Sequence, residues 1–64
     1  MNLQTDIQVE NHGTTFLFWP ESKAGQDWLT ENTDGTWYGD ALVVESRYAF
    51  DLAQGALDDG LSVN

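Results

Sequence analysis

The chain has 64 residues, with eleven Asp and Glu against two Lys and Arg, for a formal net charge of -9 and a pI of about 4.1. It has no cysteine, which excludes disulfides and thiolate metal sites. Lys23 and Arg47 are its only basic side chains besides His12, so the phosphate contacts that give nucleic-acid affinity are excluded as a mode of binding.

A single compact domain over 1–64 is expected, near the lower size limit for folding without staples. Disorder is the rival at such charge. A hydrophobic fraction of 41% and an aromatic fraction of 12% argue for a core. No run approaches the roughly 20 apolar residues that span a bilayer. Met1 to Glu10 has neither a basic region nor an apolar run, so no secretory leader and no membrane partner are expected. The absence of cysteine fits the cytoplasm of a bacterial cell.

The first element is a strand. Leu3, Thr5, Ile7 and Val9 alternate with Gln4, Asp6, Gln8 and Glu10, the period of a sheet with one buried face. Asn11-His12-Gly13 supplies a tight turn. Thr14 to Trp19 is the second strand, with Phe16 and Phe18 on one face and Leu17 and Trp19 on the other. Pro20 stops the ladder because it lacks an N–H. Ser22 caps a helix to about Glu31, anchored by Trp28 and Leu29, with Lys23 and Asp27 as an i,i+4 pair. Gly25 weakens it by up to about 1 kcal/mol relative to Ala.

Asn32 to Gly35 reads as a loop. Trp37 to Glu45 is expected as one continuous third strand, apolar over Ala41-Leu42-Val43-Val44. Ser46 is expected to cap the last helix. Tyr48, Ala49, Leu52, Ala53, Ala56 and Leu57 form its apolar stripe. Gly60 then serves as C′, with Leu61 closing the end, and Ser62 and Val63 add a short edge pairing. The fold class is α+β: a small antiparallel or mixed three-stranded sheet with two helices on one face, order β-β-α-β-α.

Little here points to catalysis. His12 falls in a turn, and no Ser or Thr has a plausible histidine partner for nucleophilic chemistry. A chain this small has little room to enclose a substrate. The expectation is no enzyme and no cofactor. Asp34, Gly39 and Glu45 occupy positions 1, 6 and 12 of a calcium-loop count, but Thr36 and Tyr38 stand where oxygen-rich side chains are needed. No metal is expected. Among the aromatics, Trp28 and Tyr48 read as core, while Trp19, Trp37 and Phe50 lie off the clearest core faces and could rim a partner contact.

The carboxylates carry the strongest signal. Soluble surfaces usually intersperse both signs. Asp58 and Asp59 fall in the last turn of the final helix, where the macrodipole disfavours anions by about 0.3–1 kcal/mol each. A 64-residue domain is about 28 Å across by size scaling. Duplex DNA carries about 16 phosphates over that span, so the net charge is about half of theirs. The partner this surface suits is a basic one. The residues expected to contact it are Asp27, Glu31, Asp34, Asp51, Asp58 and Asp59, on helical surface and loop, with Asp6 and Glu10 facing elsewhere.

From Gly13 onward the chain resembles a family of small bacterial and phage proteins. The resemblance rests on Gly13-Thr14-Thr15-Phe16, Pro20, Trp28-Leu29 and above all Trp37-Tyr38-Gly39-Asp40-Ala41-Leu42-Val43-Val44-Glu45, continued by Arg47-Tyr48, Asp51-Leu52, Gly55 and Asp58-Asp59-Gly60-Leu61. Ser46 departs from the Pro that pattern would carry. In size, acidity and lack of cysteine the chain also resembles type I-C anti-CRISPR proteins. That resemblance implies a phage-type inhibitor acting as a DNA mimic, with a basic nucleic-acid-binding protein such as a type I CRISPR effector subunit as partner. It would be a monomer or a weak homodimer. The alternative is a small accessory or oligomerisation module using Leu17, Trp19 and Trp37, its acidity serving only solubility.

Overall fold

A computed structural model describes residues 5–64; the expected strand positions Leu3 and Gln4 lie outside the described residues. The elements are β1 (Ile7–Asn11), β2 (Thr15–Pro20), α1 (Lys23–Asn32), β3 (Thr36–Tyr38), β4 (Ala41–Glu45) and α2 (Ser46–Asp58). The class is α+β. The sheet has four strands, not three, in the order β1-β2-β4-β3 with every neighbour antiparallel. The chain order is therefore β-β-α-β-β-α.

The difference lies in Trp37–Glu45, which is a hairpin and not one strand. Tyr38 pairs with Ala41 across a two-residue turn, Gly39-Asp40. Gly39 takes φ 61° while Asp40 does not go positive, and Gly at the first central position suits a type II′ turn. The apolar run Ala41–Val44 masked this turn, because its lack of alternation reads as one buried strand. At the other edge β1 is covered. Val63 bridges Ile7 in parallel, and Asn64 exchanges backbone hydrogen bonds with Val9 and Ile7 at 2.7 and 3.0 Å.

Register assigns the faces. Ile7, Val9, Phe16, Phe18, Leu42, Val44 and Trp37 share one side by their pairings. The core is built on it: Ile7, Phe18, Leu42 and Val44 pack with Leu29 of α1 and with Ala49 and Ala56 of α2. The helices thus cover this face, and the small Ala49, Ala53 and Ala56 let α2 approach closely. Tyr48, expected in the core, is 53% exposed at the flank of that stripe. The buried arc of α2 is narrower than the sequence stripe because its contact residues are alanines, so the bulkier Tyr48 and Leu57 fall to the sides.

Ser22 caps α1, accepting the Gly25 N–H at 3.0 Å. Ser46 does not cap α2. Glu45 is the cap residue, without a side-chain bond, and the Ser46 hydroxyl instead donates to the Gly13 carbonyl at 2.6 Å. That contact ties the start of α2 to the β1–β2 turn. The end of α2 is a Schellman motif: Leu61 N–H donates to Ala56 O and Gly60 N–H to Leu57 O, both at 3.0 Å, with Gly60 at φ 91°.

Candidate functional site: an acidic surface and its groove

Both cationic side chains are engaged within the chain. Lys23 Nζ lies 3.4 Å from Asp27. Arg47 lies 3.8 Å from Glu45, with its guanidinium 4.8 Å from the centre of the Tyr48 ring. Exposed pairs like these contribute about 0–1 kcal/mol each. Their main consequence is to leave the other carboxylates without a local counter-charge.

Four acids accept hydrogen bonds. Asp6 accepts from Ser22 Oγ at 2.6 Å and from Ser62 N–H at 2.9 Å, and these bonds hold its carboxyl below the usual range. Glu10 accepts from His12 at 2.9 Å and from the Trp19 indole at 3.4 Å. The His12 bond, then the Trp19 bond, lowers its carboxyl as well. Asp59, beyond the last turn of α2, accepts the Trp28 indole N–H at 2.6 Å and so pins the two helices together. The macrodipole penalty expected there is offset by this bond and, at Asp58, by one from Gln54 at 3.1 Å. The acidic end of α2 therefore has a structural reason that sequence alone did not show.

The six expected contact residues are all exposed. Asp27 and Glu31 lie one turn apart on α1, Asp34 in the loop after it, and Asp51, Asp58 and Asp59 on α2 and its end. All belong to the helical layer and its loops. Trp28 meets Gly55 and Asp59, while Asn32 and Thr33 share a groove with Asp51 and Leu52. The helices therefore run in opposite senses. Of the six, Glu31, Asp34 and Asp51 have no hydrogen-bonding or ionic partner among the described residues. Comparison with family models, with curated proteins and with solved structures gives no match.

The groove is a feature sequence reasoning did not find. β3 pairs only as far as Thr36 with Val43, so the edge of β4 beyond Val43 is left without a strand neighbour on that side. There a groove of about 630 Å³ opens between β4, the end of α1 and the start of α2. Leu42, Val43, Val44 and Leu52 supply an apolar lining, and Glu45, Tyr48 and Asp51 line it as well. The signal that could have located it was the Gly39-Asp40 turn taken with the loop ending at Gly35, which together leave β3 shorter than β4.

The uncovered side of the sheet is a second surface. Leu17, Trp19, Val43 and Tyr38 share it by register, with Tyr38 77% exposed. Trp37 does not belong to it. Trp37 pairs with Leu42, on the helical side, so Leu17, Trp19 and Trp37 do not form one patch. Among the described residues, no three His, Asp or Glu side chains come together to hold a metal ion.

Proposed function

We propose that this protein is an acidic interaction protein that occupies a basic nucleic-acid-binding surface in place of nucleic acid. The observation that carries the reading is that Asp27, Glu31, Asp34, Asp51, Asp58 and Asp59 are all exposed on the helical layer and its loops, in a chain whose net charge is -9. The body measures 35 × 18 × 18 Å, longer than size scaling suggested. Its length is that of about one turn of duplex DNA, over which DNA carries about 20 phosphates. The net charge is close to that of one strand. Long-range attraction speeds encounter with a basic groove, and charge-assisted bonds to Arg and Lys hold the complex.

The resemblance to type I-C anti-CRISPR proteins directs this reading to a type I CRISPR effector subunit in a bacterial cytoplasm. The test is competition with target duplex for the purified type I-C effector complex, at several salt concentrations. Wild type should displace duplex at low salt and lose affinity steeply as salt rises. Asp27→Asn, Glu31→Gln, Asp34→Asn and Asp51→Asn combined should weaken it by at least about a hundredfold, taking about 0.7 kcal/mol per exposed charge. Salt-independent binding, or full competition by the quadruple variant, overturns the reading.

The uncovered sheet face favours a second reading, an accessory or self-associating module. Its apolar centre at Leu17, Trp19 and Val43 is now joined by Tyr38 and not by Trp37. A stable dimer in sedimentation at high salt, lost on Trp19→Ser, would support it.

A further inference from the structure

The groove beside β4 combines three things: an apolar lining whose accessible part is Val43 and Leu52, an aromatic ring at Tyr48, and carboxylates at Glu45 and Asp51. Its volume of about 630 Å³ is within the range of sites that hold small ligands or single side chains with their neighbours. Charge complementarity narrows the occupant. A chain carrying -9 with both cations paired repels a second copy of itself and any anionic ligand. The lining asks for an aliphatic stem and the carboxylates for a cationic head.

The chain's own Arg47 indicates which cation. Its guanidinium sits over the Tyr48 ring at 4.8 Å and 3.8 Å from Glu45. A planar guanidinium stacks on an aromatic ring and forks onto a carboxylate, whereas an ammonium is a hydrated point charge. Arg47 itself does not line the groove, whereas Glu45, Tyr48 and Asp51 do; a second guanidinium there would meet the unpartnered Asp51 and share Glu45 and Tyr48 with Arg47. We infer that this groove is the anchoring pocket for an arginine of the partner, with an adjoining aliphatic residue packed on Val43 and Leu52. The inference rests on the proposed binding of a basic surface and names where on the acidic body that binding is anchored.

The probe is a capped pentapeptide with one arginine flanked by leucines, followed by amide chemical shifts and compared with its lysine counterpart. Shifts should concentrate on Thr33, Val44, Glu45, Tyr48 and Asp51, and the lysine peptide should bind at least about threefold more weakly. The double variant Glu45→Gln, Asp51→Asn should weaken the arginine peptide about tenfold, from two charged contacts. The control Glu21→Gln, Asp40→Asn changes net charge equally away from the groove and should change it less than twofold. Shifts spread over the whole acidic surface, or equal weakening by the control pair, overturn the anchor. If the groove variant competes for the effector as well as wild type does, the anchor falls while mimicry stands. If the peptide seats in the groove but wild type never competes with duplex, mimicry falls and the anchor stands.

Discussion

Ser22 Oγ donates to the Asp6 carboxylate at 2.6 Å while accepting the Gly25 N–H at 3.0 Å. One hydroxyl thus joins the residue before β1 to the first turn of α1, and the same carboxylate reaches Ser62 near the C-terminus. Strand, helix start and tail converge on Asp6. The backbone reinforces this, because Glu21 N–H donates to the Asp6 carbonyl at 2.8 Å and Asp6 N–H to Ser62 O at 3.0 Å.

The Asp6 carboxyl is lowered from its ordinary value of 3.8 by the Ser22 bond first and the Ser62 bond second. A carboxyl whose folded pKa is depressed binds its proton more readily when unfolded. Its contribution is fully present above the unfolded value and is lost as pH falls through the folded one. Asp6→Asn should therefore lower stability at pH 6–7, and the gap from wild type should close below about pH 3. Urea unfolding of both proteins across that range measures it. A gap that widened on acidification would show that the Asp6 bonds are not the cause.

Gly25 and Gly55 both lie within helices and should respond oppositely to alanine. A methyl group at Gly25 would run into the Asp6 carbonyl oxygen, an atom held in place by the Glu21 N–H. The helix-propensity gain of about 1 kcal/mol is outweighed by a clash of this kind, which costs about 1–3 kcal/mol or more. At Gly55 the nearest atoms are Trp28 ring carbons at 3.5 and 3.6 Å, an ordinary contact. Gly55→Ala should stabilise by about 0.5–1 kcal/mol, and Gly25→Ala should destabilise by at least about 1 kcal/mol. Thermal melts of the two variants decide it.

The same glycine shows how far the sequence could be read. A helix from Ser22, a stripe on α2 and a glycine-closed end after Asp59 all follow from local chemistry, and each is present. Gly25 looked like a flaw in a helix because the neighbour that requires it, Asp6, is 19 positions earlier in the chain. Ser46 looked like a cap, yet its hydroxyl is taken by Gly13, which only the tertiary fold brings near. The hairpin at Gly39-Asp40 was in the sequence as a two-residue turn signal, overridden by the apolar run after it. Charge was legible in amount. Its arrangement depends on pairings such as Trp28 with Asp59, across the helix–helix contact.

Salt should stabilise this protein. Screening weakens repulsion among exposed carboxylates within a body only 18 Å across, since the Debye length is about 10 Å at 0.1 M and about 3 Å at 1 M. It also weakens Lys23–Asp27 and Arg47–Glu45, but those exposed pairs contribute about 0–1 kcal/mol each, against a net charge of -9. Repulsion dominates. Each 1 kcal/mol of relief raises the Tm of a domain this size by about 4–8 °C. Calorimetry from 10 mM to 0.5 M NaCl should show a rising Tm, and a falling one would mean the ion pairs matter more than the field.

Phe18 and Phe50 separate burial from composition. Phe18 is fully buried between Ile7, Leu29 and Leu42 in the core, while Phe50 on α2 is 76% exposed. Phe18→Ala removes a ring from a close-packed site and should cost about 3–5 kcal/mol. A domain this small has only a few kcal/mol of net stability, so the variant should be largely unfolded at 25 °C. Phe50→Ser removes a ring that is mostly in solvent and should change stability by less than about 0.5 kcal/mol. If Phe50 instead rims a partner contact, the same variant should weaken effector competition while its melting curve stays unchanged. Measuring both on one preparation separates an interface residue from a structural one, and a shifted melt for Phe50→Ser would place its ring in the fold.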